Sequence, residues 1–102
     1  MKSTNKSTGG TSFHGTTFSA TVQDLRKALG LPEYEQNDGE DKINFEWVLE
    51  TEDGEVFTVY DWKEYHELDE EMEDIDWHIG GNSKAITEKA LEEIEDALRD
   101  IF

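Results

Sequence analysis

Lys42-Ile-Asn-Phe-Glu-Trp-Val-Leu-Glu-Thr-Glu-Asp-Gly-Glu-Val-Phe-Thr-Val-Tyr-Asp-Trp62 is where this chain concentrates its apolar mass. Asp53-Gly54 between two alternating runs predicts a two-residue hairpin, because a type I′ turn needs φ > 0 at both central positions and Asp and Gly tolerate it. That turn places Glu52 opposite Glu55, Leu49 opposite Thr58, Trp47 opposite Tyr60 and Phe45 opposite Trp62. The expected core face is then Ile43, Phe45, Trp47, Leu49, Val56, Tyr60 and Trp62.

The other face of this hairpin holds Asn44, Glu46, Val48, Glu50, Phe57, Val59 and Asp61, with Glu46 facing Asp61. Like charges across a ladder repel, so that end is expected to be wet or to meet a partner's cation. A slip of one residue would exchange the two faces, so register decides what the core contains.

Around the hairpin, 102 residues make one domain, with residues 1–11 read as a flexible, locally basic tail and 12–102 as the folded unit. Without cysteine there is neither a disulfide scaffold nor a thiolate metal site. No apolar run approaches the roughly 20 residues that span a bilayer, and the start lacks a hydrophobic signal region. The expectation is a cytoplasmic protein with no membrane partner.

Thr11 to Thr21 is rich in Thr and carries Phe13 and Phe18 at odd spacing, which predicts an extended segment that is either a strand pair or bulged at Gly15. Thr21-Val-Gln-Asp24 resembles a capping box, and Val22, Leu25, Ala28 and Leu29 keep helical spacing up to Gly30 and Pro32. A short helix at 22–29 is predicted. Glu33 to Asp41 is an acidic loop that lacks the ligand spacing of a calcium-binding loop.

Lys63 to Asp76 is the densest acidic run, with Leu68, Met72 and Ile75 as its expected apolar anchors. Ile75-Asp-Trp-His-Ile79 alternates as a strand. Gly80-Gly-Asn-Ser83 then feeds a helix from about Lys84 to Ile101, with its stripe at Ile86, Ala90, Leu91, Ile94, Ala97, Leu98 and Ile101. The resulting fold class is α+β, an antiparallel sheet of three to four strands built on the 42–62 hairpin. The C-terminal helix packs on one face, beside the helix at 22–29.

Two constellations could carry function. A glycine loop entering a helix N-terminus exposes N–H groups to an anion, so Gly80, Gly81, Asn82, Ser83 and Lys84, with His14 and His78, form a candidate site for sequestering a nucleotide or other anionic signal. The bland reading of the same residues is a turn capped by Ser83 or Asn82. The three histidines show no metal-ligand spacing, and no nucleophile elbow is present, so neither a metal, a cofactor nor an enzyme is expected.

The second constellation is charge. Twenty-six Asp and Glu against 9 Lys and Arg give a net −17, which repels nucleic acid and anionic membranes and attracts basic surfaces. Solubility alone could account for this, but 11% aromatic residues rule out a disordered acidic tail. DNA presents about one negative charge per 1.7 Å, and its binders carry basic grooves tuned to that density. Glu64, Glu67, Asp69, Glu70, Glu71, Glu73 and Asp74 are the candidate contacts for such a groove.

In size, charge and the segments Ser12-Phe-His-Gly-Thr16, Val59-Tyr-Asp-Trp-Lys-Glu-Tyr65 and Trp77-His-Ile-Gly-Gly-Asn-Ser83, the chain resembles small phage-encoded anti-defence proteins. No defined motif is shared, so no functional residue carries over. The resemblance implies an inhibitor of anti-CRISPR or anti-restriction type, working as a DNA mimic in the host cytoplasm against a basic nucleic-acid-binding surface. Neither a monomer nor a dimer is specified.

Overall fold

Strong local capping starts both helices of the computed structural model, which describes all residues 1–102. Thr21 accepts the N–H of Asp24 and opens α1, Val22–Leu29, which ends at Gly30 (φ +89°). Ser83 accepts the N–H of Ile86 and opens α2, Lys84–Asp100. Both helices stand where their apolar periodicity puts them.

The strands are β1 (Lys2–Ser3), β2 (Ser12–Ala20), β3 (Tyr34–Glu35), β4 (Phe45–Glu50), β5 (Val56–Tyr60) and β6 (Ile75–Gly81). They form one antiparallel six-stranded sheet in the order β1-β4-β5-β6-β2, with β3 also on the outer edge of β4. The α+β expectation is met, but the strand count exceeds three to four. The additional pieces are the two-residue β1 and β3, too short to leave a periodic signal.

The turn at Asp53-Gly54 is present, but its length corrects the two-residue expectation. The Thr51 N–H donates to the Glu55 carbonyl and Gly54 adopts φ +83°, so the loop is Glu52-Asp53-Gly54 with a left-handed third residue. The ladder therefore pairs Leu49 with Phe57, Trp47 with Val59 and Glu46 with Tyr60. Glu46 does not face Asp61. Phe57 and Val59 enter the core, while Tyr60 and Trp62 leave it.

The helix-covered face buries Phe45, Trp47, Leu49, Phe57, Val59, Ile75, Trp77 and Ile79 against Val22, Leu25, Ala90 and Ile94. Trp47 and Trp77 pack edge to face at 5.6 Å, and their indole N–H groups donate to the carbonyls of Gly30 and Ala20. No polar cost is left inside that cluster. A register jump at Gly15 (φ +91°) bulges β2, yet Phe13 and Phe18 still point to opposite faces.

Residues 1–11, expected as a tail, contribute β1 and then cross the helix-free face. There the ammonium of Lys6 meets the Glu50 carboxylate at 2.5 Å and the Gly54 carbonyl at 3.3 Å. Of the anchors expected in the acidic run, Leu68 and Ile75 are buried but Met72 is 79% exposed, lifted outward by the turn at 70–72. No helix is long and apolar enough to cross a membrane.

Candidate functional site

Chain leaving β5 must turn sharply, and Asp61 makes it do so. Its buried carboxylate accepts the N–H groups of Asn44 (2.9 and 3.1 Å) and Phe45 (2.8 Å), tying the end of β5 to the start of β4. Burial pushes this carboxyl above the usual range, and the two backbone donors pull it partly back. Beyond it Lys63 (φ +57°) and Tyr65 (φ +51°) both take the left-handed conformation, which costs side-chain-bearing residues of order 1–2 kcal/mol each.

The acidic run begins at this bend, and side-chain amides hold it in place. Asn37 brackets Leu68, donating to its carbonyl (2.9 Å) and accepting its N–H (2.7 Å), as a strand neighbour would. Asn44 donates to the His66 carbonyl (3.0 Å) and accepts the Gly39 N–H (3.1 Å). The Gln23 N–H, at the first turn of α1, donates to the Glu70 carbonyl (2.8 Å). Glu33 to Asp41 and Glu64 to Asp74 thus pack as one acidic edge.

Within that edge the candidate contacts differ. Glu70 shares Arg26 with Glu35, and Glu73 meets the His66 ring at 2.7 Å. Asp69 caps the local turn, accepting the N–H groups of Glu71 and Met72 at 3.1 Å. Glu67, Glu71 and Asp74 are exposed, Glu64 is half-buried, and no cation lies within 4.0 Å of any of the four. Those four present uncompensated charge.

The Gly80–Ser83 stretch is built differently from an open glycine loop. Gly80 and Gly81 belong to β6, paired with Phe13 and Ser12 on one side and with Thr58 and Phe57 on the other. A methyl group on Gly80 would fall 2.6 Å from the Thr58 hydroxyl, so the glycine is there for close strand packing. Ser83 is the N-cap and Lys84 is exposed. His14 does reach this strand end, its Nε2 3.0 Å from the Gly81 carbonyl oxygen. His78 points to the helix-free face, stacked on Phe13 at 4.3 Å, and burial lowers its pKa below the ordinary value.

The corrected register exposes a feature that the expected core face concealed. Tyr34, Glu46, Tyr60 and His78 stand side by side on β3, β4, β5 and β6. Trp62 lies edge-on to Tyr60 at 6.2 Å. Tyr34 (37%), Trp62 (39%) and Phe13 (43%) are among the few large apolar side chains left exposed. Tyr34, Asp41, Lys42, Ile43, Glu46 and Trp62 line a concavity of about 440 Å³, and a second of about 220 Å³ shares Ile43, Glu46 and Trp62 with it.

Glu46 has no hydrogen-bond donor and no cation within 4.0 Å, and burial pushes its carboxyl above the usual range with nothing to pull it back. The Tyr60 phenol is raised by the same burial and by the charge on Glu46. No three His, Asp or Glu side chains converge as a metal site. An aromatic groove, with the Tyr34 and Trp62 rings exposed in its wall, thus lies beside the acidic edge. Compared with known proteins, the chain matches no family model and no curated sequence, so the chemistry of this groove and rim rests on the residues themselves.

Proposed function

We propose that the chain is a non-enzymatic acidic inhibitor of DNA-mimic type. It presents ordered carboxylates to the basic nucleic-acid-binding surface of a bacterial defence nuclease, in the manner of an anti-CRISPR or anti-restriction protein. The observation that supports this reading is the packing of Glu33–Asp41 against Glu64–Asp74. Two acidic stretches distant in sequence are fixed together by Asn37 and Asn44, and few of their carboxylates have a cation of their own. A rigid array of this kind loses little conformational entropy on meeting a cationic groove, and steers its approach. The rival reading, anion capture at Gly80–Ser83, has less support, because that stretch spends its glycines on sheet packing and its serine on the cap.

The test is capture of bacterial nucleases on the immobilised chain at low and high salt, with duplex DNA as competitor. The expected result is retention of a DNA-binding protein that salt or duplex DNA releases. The triple variant Glu67→Lys, Glu71→Lys, Asp74→Lys should lose it, since these carboxylates hold no ion pair within the fold. Retention that ignores salt, DNA and the triple variant would reject the proposal.

A further inference from the structure

The groove beside the acidic edge has a feature that a generic acidic surface lacks. Glu46 is half-buried and without a partner, in a row whose neighbours on either side are tyrosines. Partial burial disfavours its charged form, and a cation placed against it would offset that. Trp62 completes the wall, and its ring already attracts cations. The Lys42 and Lys63 ammoniums lie 5.7 and 5.6 Å from its centroid. Both lysines are exposed and free to swing aside.

From these observations we infer that the groove formed by Tyr34, Ile43, Glu46, Tyr60 and Trp62 is a slot for an arginine side chain of the basic partner. This rests on the proposed reading of the acidic edge and names the contact that gives it an anchor. A guanidinium fits better than an ammonium on chemical grounds. It is planar, stacks on an indole or phenol face, sheds water more readily, and offers a carboxylate a two-pronged set of donors. Tyr34, Ile43, Glu46 and Trp62 line the concavity of about 440 Å³, which is ample for one such side chain, and Tyr60 lines the adjoining one of about 220 Å³. Asp41, which lines the larger concavity, and the acidic edge beside it favour a cation over a neutral guest. Lys42 lines the same larger concavity and opposes entry by like charge, so its removal should help.

The experiment uses the intact chain and N-acetyl-arginine amide as probe, followed at the tryptophan indole N–H signals. Trp47 and Trp77 are buried and hydrogen-bonded, so Trp62 alone should move. The expected result is a saturable shift in the millimolar range, weakened ~tenfold or more in Glu46→Gln, as loss of a charge-assisted hydrogen bond requires, and strengthened in Lys42→Ala. N-acetyl-citrulline amide, the same shape without the charge, should produce no saturable shift. Three outcomes overturn the slot: no saturable movement of Trp62, equal response to citrulline, or a stronger response to tetramethylammonium than to the arginine probe. Should Trp62 stay still while nuclease capture remains dependent on Glu67, Glu71 and Asp74, the slot fails and the acidic-edge reading stands. Should Trp62 respond while capture ignores those residues, the slot stands and the edge reading fails.

Discussion

Gly39 lies against the backbone of His66, so closely that a methyl group at position 39 would fall 2.5 Å from both the His66 Cα and its N. Gly39 also holds φ +73°, where a side chain is strained whatever the space around it. The contact lets Glu33–Asp41 and Glu64–Asp74 share one edge, and no side chain can bend out of the way, because the obstacle is main chain. Gly39→Ala is therefore expected to cost ~2–4 kcal/mol in urea denaturation at neutral pH. Gly15→Ala is the control: its φ is +91° but open space surrounds it, so it should lose only ~1 kcal/mol. Equal losses at the two positions would mean that the loops are not packed as described.

Asp61 is the residue on which the end of the hairpin depends. Asp61→Ala leaves the buried N–H groups of Asn44 and Phe45 without acceptors, at ~1–3 kcal/mol each. Asp61→Asn keeps one acceptor oxygen, and because Oδ1 alone accepts both N–H groups it should lose less than half as much. Denaturant midpoints measure both, and Asp61→Ala should also broaden the Trp62 indole signal, because the chain that leaves β5 carries that ring. A mutant as stable as the parent would remove Asp61 from this role.

Much of this arrangement is legible in the residues, and the part that is not has a definite cause. α1 and α2 declare themselves through Thr21 with Asp24, through Ser83, and through unbroken apolar stripes. Phe45, Trp47 and Leu49 alternate cleanly into the core. Asp53-Gly54 marks a turn, but the pair suits a two-residue loop and the end of a three-residue loop equally, since both need a left-handed Gly54. One residue of difference flips every side chain of β5. A two-residue loop sends Tyr60 and Trp62 to the core, and the groove they line then has no signature of its own. A hint does exist, for Phe57 and Val59 on the opposite parity are the more apolar pair. β1 and β3 leave no local trace because Lys2–Ser3 and Tyr34–Glu35 are held by pairing with β4 alone.

Both ring nitrogens of His66 face acceptors. Nδ1 lies 2.7 Å from the Glu64 carbonyl oxygen and Nε2 lies 2.7 Å from the Glu73 carboxylate. A neutral imidazole carries one N–H and can satisfy only one of them, so the geometry calls for the doubly protonated ring. The Glu64 carbonyl and then Glu73 accordingly raise the His66 pKa above its ordinary 6.5. A basic group raised in the folded state binds its proton more tightly there than in the unfolded chain. Its support of the acidic loop is complete below pH 6.5 and is lost as pH rises through the elevated value. The His66 ring protons, tracked by NMR, should titrate above 6.5, and Glu73→Gln should bring the midpoint down. Hydrogen exchange at the Asp69 N–H, which donates to Glu73 at 3.2 Å, should speed up across the same window beyond the ordinary base-catalysed slope. Titration at or below 6.5, or a midpoint indifferent to Glu73→Gln, would show that the ring is not clamped between these acceptors, and the acidic edge would then owe its order to Asn37, Asn44, Gln23 and Arg26.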